Sequence, residues 1–164
     1  MPEKRTLERA RKDAREGKAP STQAGEFIRE EMDHIREGKH GARSAKQAIA
    51  IGLSKARRAG VKLPPPKKGK ASPETRTQAA RDYARGQTSP GRAPSPTRSR
   101  AITAALQHEG KQAASHTALS RQAHASARSR SAAARSRAAQ KAVRTKGSAG
   151  LRSAARKAAR TRGR

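Results

Sequence analysis

The sequence contains no cysteine and no tryptophan, and Phe27 and Tyr83 are its only aromatic residues. The lack of cysteine excludes disulfides and thiolate metal sites. The lack of aromatics leaves little on which the bases of a single strand could stack. Much of the 32% hydrophobic fraction is alanine, which buries little surface, so we expect no core of the usual size. With so little core to hold catalytic groups in place, we predict that the protein is not an enzyme, with no cofactor and no small-molecule substrate.

Long apolar runs are also missing. The N-terminal residues form a charged helix pattern instead of an apolar leader, so no secretory signal is expected. The longest apolar run, Ala48 to Leu53, is far too short to cross a bilayer. These absences predict no membrane span and a cytoplasmic location, at the nucleoid if the partner is DNA.

Acidic residues are scarce over most of the chain. The sequence has 40 Lys+Arg against 12 Asp+Glu, a formal net charge of +28, and no acid follows Glu109. Residues 1–38 hold nine acids and nine bases, so the excess lies beyond them. A charge this large predicts a polyanionic partner, with DNA as the first choice and RNA as the alternative.

Helix-compatible segments ending at glycines divide the first two thirds of the chain. The predicted helices are Leu7–Glu16, Gln23–Glu37, Ala45–Ala59, Pro73–Arg85 and about Arg98–Glu109. The glycines that we expect just past their ends are Gly17, Gly38, Gly60, Gly86 and Gly110. The expected N-caps are Thr6, Thr22, Ser44 and Ser72, the last followed by Pro73 at the first helical position.

Only two of these segments carry an apolar stripe at helical spacing. The stripes are Ala24, Phe27, Ile28, Met32 and Ile35 in the first, and Ala45, Ala48, Ile49, Gly52, Leu53 and Ala56 in the second. Because only six residues join them, an antiparallel hairpin is predicted, with Val61 and Leu63 folding back under it. We expect residues 23–60 to be the only part that packs on its own. A unit this small is marginal, and homodimerisation through the hairpin is one way to supplement it.

The predicted fold class is therefore mainly α: a small antiparallel helical hairpin plus short helices, with a largely disordered or conditionally helical basic tail. We divide the chain into an N-terminal charged helix (1–18), the hairpin (19–66), a Pro/Ser-rich basic linker with short helices (67–110) and an Ala/Arg/Lys-rich tail (111–164).

The second helix of the predicted hairpin carries a distinctive run of nine residues. The run reads Lys46-Gln47-Ala48-Ile49-Ala50-Ile51-Gly52-Leu53-Ser54, and Gly38-Lys39-His40-Gly41 precedes it. Over about residues 31–66 the sequence resembles a family of small basic bacterial proteins of unknown function that share this KQAIAIGLS signature. The resemblance implies a bacterial cytoplasmic protein and no established activity. The tail separately resembles the Ala/Lys/Arg-rich ends of linker-histone-like bacterial proteins, in composition only.

The tail repeats a seven-residue pattern, Ala-Arg-Ser-Arg-Ser-Ala-Ala at 127–133 and a near copy at 134–140. On one continuous helix this repeat predicts two arginine stripes on opposite sides, because seven residues are close to two turns. The stripes would be Arg121, Arg128 and Arg135, and Arg130, Arg137 and Arg144. The alternative is a disordered polycation that binds phosphates with no fixed geometry.

Two Ser-Pro-x-Arg sequences, at 89–92 and 95–98, resemble histone-tail motifs that place arginine in narrow minor grooves. A plain Pro/Ser linker is the alternative. The basic second helix of the hairpin also invites a helix-turn-helix interpretation, but the connection is long and Gln47 is the only amide suited to base reading. The candidate nucleic-acid-binding residues are Arg43, Lys46, Lys55, Arg57, Arg58, Arg92, Arg98, Arg121, Arg128, Arg130, Arg135, Arg137, Lys141, Arg144, Lys146, Arg152, Arg156, Lys157 and Arg160.

The remaining polar residues suggest no catalytic or metal site. The five histidines are scattered in the sequence, and no metal face is predicted. The acids of the first hairpin helix are expected to form solvated pairs with Arg29 and Arg36, or else a surface that the basic tail could contact.

Together these observations predict non-enzymatic, largely sequence-independent DNA binding and compaction by phosphate neutralisation, as in a nucleoid-associated or histone-like protein. The alternatives are an RNA- or ribosome-associated protein, and a hairpin that recruits a protein partner while the basic tail localises it.

Overall fold

The structure, a computed structural model, describes residues 2–90 and 95–162. Within these ranges it contains seven α-helices, one 3₁₀ helix and no strand, so the mainly α prediction is confirmed. The helices are α1 (Lys4–Arg15), α2 (Pro20–Glu37), α3 (Ala45–Arg58), α4 (Pro73–Thr88), α5 (Pro96–Gln107), the 3₁₀ helix (Lys111–Ala114), α6 (His116–Arg128) and α7 (Ala132–Arg162). The chain forms two units, residues 1–120 and 121–164, which we call the N-terminal unit and the C-terminal unit.

The predicted helix ends are partly confirmed. Ser44 and Ser72 are N-caps whose side chains accept a backbone N–H three residues later, as expected. Thr6 and Thr22 are not caps, because α1 starts after Glu3 and Pro20 starts α2 two residues before Thr22. The prediction that a glycine follows the helix end is confirmed at Gly17, Gly38 and Gly60, where φ is positive. It is wrong at Gly86 and Gly110, where φ is not positive.

Helices α2 and α3 form the predicted hairpin. Their crossing is close at Gly52, where a Cβ atom would lie 2.8 Å from the Cα of Ile28. Near the connection, Ile35 and Ala48 belong to one buried cluster. At the far end, Phe27 and Ala56 belong to a second. The end of α2 thus packs against the start of α3, and the first half of α2 packs against the end of α3, so the hairpin is antiparallel.

The packed part of the N-terminal unit is larger than residues 23–60, so that prediction is wrong. Ala10 of α1 and Val61 join Phe27 in the second cluster, with Leu63 partly buried beside it, which confirms the predicted fold-back. In the first cluster, Ala113 and Ala114 of the 3₁₀ helix are buried. Alanine side chains are large enough to complete these clusters because the neighbouring backbones lie close together. In the sequence, such alanines do not form an amphipathic stripe.

Helix α4 packs on α3 through a small residue and a buried acid. Gly86 lies inside α4, where a Cβ atom would overlap the carbonyl oxygen of Arg57. Asp82, which is buried, accepts a hydrogen bond of 2.6 Å from the hydroxyl of Ser54. The glycine that was predicted to end the helix is therefore needed for close approach between the two helices.

The C-terminal unit is helical but not one rod. Helix α6 ends at Arg128, and α7 begins at Ala132 after Ser131, whose hydroxyl accepts the N–H of Ala134 at 3.2 Å. Serine side chains compete for backbone hydrogen bonds in this way and favour helix starts over helix interiors. Within α7, Gly147 has φ 64° and ψ 175°, which interrupts the helix a second time.

Candidate nucleic-acid interface and buried polar cluster

The cations of the C-terminal unit face solvent. Each described lysine and arginine between residues 121 and 162 is exposed. The sequence offers no acid after Glu109, so this unit has no internal partner for its charge. An exposed set of cations without counter-charges of its own is suited to binding a polyanion.

The predicted pair of long arginine stripes is wrong, because the break at residues 129–131 separates Arg128 from Arg135 and places Arg130 outside any helix. Opposed faces nevertheless occur inside α7. At 100° per residue, Arg137, Lys141 and Arg144 lie within about 60° of one another, and Arg135 and Lys146 lie on the opposite side.

The segment of α7 beyond Gly147 has a different charge distribution. Arg152, Arg156 and Arg160 follow one another at intervals of four residues, and Lys157 lies beside them. These four side chains line a shallow groove with Ser153. At 100° per residue they occupy about 140° of the helix circumference, so four of the five described cations of this segment share one broad face, and Arg162 lies outside it.

In the hairpin, two of the five predicted cations are available. Arg43 and Lys46 are exposed at the start of α3. Gln47, the one candidate for base reading, accepts the backbone N–H of Arg43 at 2.8 Å through its side-chain oxygen. Because its oxygen serves the helix start, Gln47 does not present both its amide oxygen and its amide nitrogen to a base, as bidentate reading of adenine requires.

The other three predicted cations are engaged within the N-terminal unit. Lys55 forms ion pairs with two buried glutamates on α2. Arg57 is buried and donates to the carbonyl oxygen of Leu63 at 3.2 Å, and burial lowers its pKa. Arg58 lies 3.9 Å from Asp82. Lys55 and Arg57 thus each join two segments of the fold, and the charge of Arg58 is partly neutralised by the carboxylate of Asp82.

Of the two Ser-Pro-x-Arg sequences, the structure describes the one at 95–98 in full. Arg92, in the first Ser-Pro-x-Arg sequence, lies outside the described residues. In the second, Ser95 is the N-cap of α5 and Pro96 is its first residue, so the motif begins a helix. Arg98 is exposed in the first turn of that helix.

The acids of α2 divide into two groups. Glu26 pairs with Arg29 at 3.3 Å and Asp33 with Arg36 at 3.2 Å, as predicted. For Glu30 and Glu31 the prediction of solvated pairs is wrong, since only 5% and 1% of their surfaces are exposed.

Lys55 is the main cation of the two buried carboxylates. Its Nζ lies 2.6 Å from Oε2 of Glu31 and 3.5 Å from Oε1 of Glu30. Lys55 is the only partner of these two oxygens among the described residues, and the other oxygen of Glu30 accepts the backbone N–H of Glu3 at 3.1 Å. Two buried carboxylates thus face a single ammonium.

Two histidines lie beside this cluster. Nε2 of His40 is 3.1 Å from Oε1 of Glu31. Nε2 of His34 is 2.9 Å from Oε1 of Glu3, and this hydrogen bond, followed by that of Lys39, lowers the pKa of Glu3. The ring centroids of the two histidines are 6.0 Å apart. Although scattered in the sequence, these two histidines therefore lie together in the fold.

The sequence held one signal for this cluster that the prediction missed. Glu31 and His34 are three residues apart, a spacing that places both on one face of a helix and is used by metal-binding helices. His40 offers no comparable signal, because it returns to α2 only through the turn at Gly38, whose φ is 80°.

No helix in the described part of the chain has the length and apolarity needed to cross a membrane. No curated protein and no solved structure matches the chain. Residues 20–68, which include α2 and α3, match the model of a family of unknown function (DUF6496).

Proposed function

We propose that this protein binds nucleic acid through its phosphates, with little dependence on sequence, and that it compacts duplex DNA. The main evidence comes from the C-terminal unit. Its described lysines and arginines are exposed, and the unit has no acidic residue to neutralise them. Binding releases the counterions condensed on the nucleic acid, and that release supplies the free energy. The compositional likeness of the tail to linker-histone-like ends supports the same function.

Phosphates are favoured over bases for three reasons. The C-terminal unit has no aromatic side chain on which a base could stack. In the hairpin, the amide of Gln47 is used at the start of α3. The arginines of the C-terminal unit are separated mainly by alanine and serine, which supply no base-specific arrangement of donors.

Compaction is proposed from the opposed faces of α7. Arg137, Lys141 and Arg144 can neutralise one duplex while Arg135 and Lys146 meet a second on the other side. A helix that carries cations on opposite sides brings two polyanions together without contacting their bases. The proposed interface omits Lys55, Arg57 and Arg58 and consists of Arg43, Lys46, Arg98 and the cations between residues 121 and 162.

The first test is an ionic-strength titration of the full chain and of a truncation after Ser120. This end point keeps Ala113 and Ala114, which belong to the core, and removes the C-terminal unit. If about eight cations engage phosphates, the slope of log affinity against log salt is about −7 for duplex DNA. Most of that slope should disappear in the truncation, on two unrelated duplexes alike.

A matched pair of variants separates charge from base recognition. Arg137→Gln/Arg144→Gln should make the slope shallower by about 1.8, whereas Arg137→Lys/Arg144→Lys should leave it unchanged. Lysine keeps the charge but not the planar fork that reads guanine. Loss of affinity in the lysine variant, confined to one duplex, would contradict the proposal. Tighter binding to a structured RNA than to both duplexes would instead favour the RNA-associated alternative.

A groove between α3 and α4 favours a second candidate, recruitment of a protein by the N-terminal unit. It measures about 540 Å³ and is lined in part by Ile49, Leu53 and Ala79. Analytical ultracentrifugation of the truncation after Ser120 tests whether a second copy is that partner. A monomer at all concentrations would exclude homodimerisation, and a Leu53→Asp variant that dissociates a dimer would place the contact in this groove.

A further inference from the structure

Glu31 and the two histidines beside it, His34 and His40, are arranged as metal ligands. One ring nitrogen of His34, one of His40 and one carboxylate oxygen of Glu31 all lie within 4.8 Å of one another. Glu31 and His34 come from one face of α2, and His40 comes from the connection that follows it. Tetrahedral ligands about 2.0–2.2 Å from a zinc ion are about 3.3–3.6 Å apart, so small side-chain movements would complete the geometry.

Both ring nitrogens of His40 face oxygen atoms. Its Nδ1 lies 3.1 Å from the carbonyl oxygen of Gly41 and its Nε2 lies 3.1 Å from the carboxylate of Glu31. Both oxygens can only accept hydrogen bonds. If Nδ1 donates to the carbonyl oxygen, the lone pair of Nε2 and the carboxylate of Glu31 face each other, and a metal ion between them would be bound by both.

The charge balance of the cluster points the same way. Glu30 and Glu31 are both buried, and Lys55 is the one ammonium within ion-pair distance of them among the described residues. Buried charges are stable when they are paired or when they coordinate a metal. One further cation would balance the second carboxylate.

The neighbours of the three side chains are suited to a supporting role. Lys55 holds Oε2 of Glu31, which leaves Oε1 directed toward His40. The carbonyl oxygen of Gly41 fixes the ring of His40 through Nδ1. Outer contacts of this kind orient metal ligands in proteins. The carboxylate of Glu3, 2.9 Å from Nε2 of His34, lies outside this group of three ligand atoms.

We propose that Glu31, His34 and His40 bind a divalent transition-metal ion of the zinc class. Two imidazoles and a carboxylate suit Zn²⁺ and its substitute Co²⁺. The ion would join the connection between α2 and α3 to the face of α2. This inference does not depend on nucleic-acid binding, and its site shares no residue with the proposed interface.

Co²⁺ titration of the full chain, freed of nucleic acid and in phosphate-free buffer, tests the site. We expect one equivalent to bind with visible d–d absorption, and Zn²⁺ to displace it. His34→Gln and His40→Gln should each weaken Co²⁺ binding at least tenfold. The matched control is His124→Gln, which removes an exposed histidine of α6 and should leave the affinity unchanged.

The outcomes are decisive in both directions. No absorption band, or equal affinity in the two site variants and the wild type, would overturn the proposal. Nitrogen NMR of the histidine rings gives a second measurement, in which Zn²⁺ should shift His34 and His40 and not His124. Unchanged ring-nitrogen signals of His34 and His40 on addition of Zn²⁺ would refute the metal site. His34→Gln lies at the edge of the cluster and keeps the test available if His40→Gln fails to fold.

Discussion

Nζ of Lys55 lies 2.6 Å from Oε2 of Glu31, and this pair joins α3 to α2 in the interior of the N-terminal unit. The side chain of Lys55 is only 17% exposed and that of Glu31 only 1%, so neither is free to meet a phosphate. Lys46, nine residues earlier on the same helix, is exposed. Two lysines of one helix therefore have opposite roles, one in the fold and one in the proposed interface.

We predict that Lys55→Met destabilises the protein by about 3 kcal/mol, because it leaves two buried carboxylates without their ammonium. Lys46→Met, the control, should change stability by less than about 0.5 kcal/mol. Denaturant unfolding followed by circular dichroism measures both. Adding Glu31→Gln to Lys55→Met should recover part of the loss. Equal stabilities for the two lysine variants would show that the buried pair is not formed.

Gly52→Ala should cost about 1–3 kcal/mol, because the new methyl group would meet the backbone of Ile28 and push α2 and α3 apart. Gly25→Ala provides the control within α2, since a Cβ there meets nothing within 4 Å. That change should stabilise the protein by about 0.5–1 kcal/mol through helix propensity. Thermal melts of the two variants should therefore shift in opposite directions, and a stabilised Gly52→Ala would contradict the close crossing.

The ion pair of Glu16 and Lys18, at 2.7 Å, predicts a pH-dependent contribution to stability. The ammonium of Lys18 lowers the pKa of Glu16 below its ordinary value of 4.5. A carboxylate whose pKa is lowered by folding stabilises the protein above its unfolded pKa, and the effect is lost as the pH falls through the folded value. The melting-temperature difference between wild type and Glu16→Gln should thus be present at pH 7 and shrink below about pH 4.5.

The effect of Glu16 should be small and should weaken with salt, because both side chains are exposed. Glu8→Gln is the control, since Glu8 is exposed on the same helix and has no ion pair among the described residues. A difference for Glu16→Gln that grows on acidification would reverse the predicted sign.

Gly147→Ala should remove the break in α7, since alanine disfavours the positive φ of that residue and favours helix. The chain has no cysteine, so spin labels can be placed at Ala139→Cys and Ala158→Cys alone. A continuous helix would separate these positions by about 28 Å along its axis. Electron spin resonance should find this distance in the alanine variant and a different one in its parent. Identical distances would show that Gly147 does not shape the helix.

The hairpin could be predicted from the sequence because its apolar residues recur at helical spacing. Phe27, Ile35 and Ala48 are buried as that spacing requires. The docking of α4 could not be predicted, because Gly86 resembles a helix end in sequence and only contact with Arg57 shows its role. Alanines 113 and 114 gave no signal either, since burial of alanine leaves no amphipathic pattern.

Part of the proposed interface could likewise be predicted from the sequence, and part of it could not. Exposure of the cations beyond residue 120 follows from composition, because a segment of alanine, serine and arginine has no apolar face to bury. Which cations of α3 remain available depends on partners distant in sequence, such as Glu31 for Lys55 and Leu63 for Arg57.

The sequence by itself determined the charge, the helical class and the position of the hairpin, since composition and residue spacing are local properties. The tertiary structure alone decided that Glu31, His34 and His40 lie together, and that Lys55 lies inside the fold. The physical reason is that the environment of a charged side chain depends on distant segments that pack around it. Charge and periodicity can be counted along the chain, whereas burial and pairing exist only once the chain has folded.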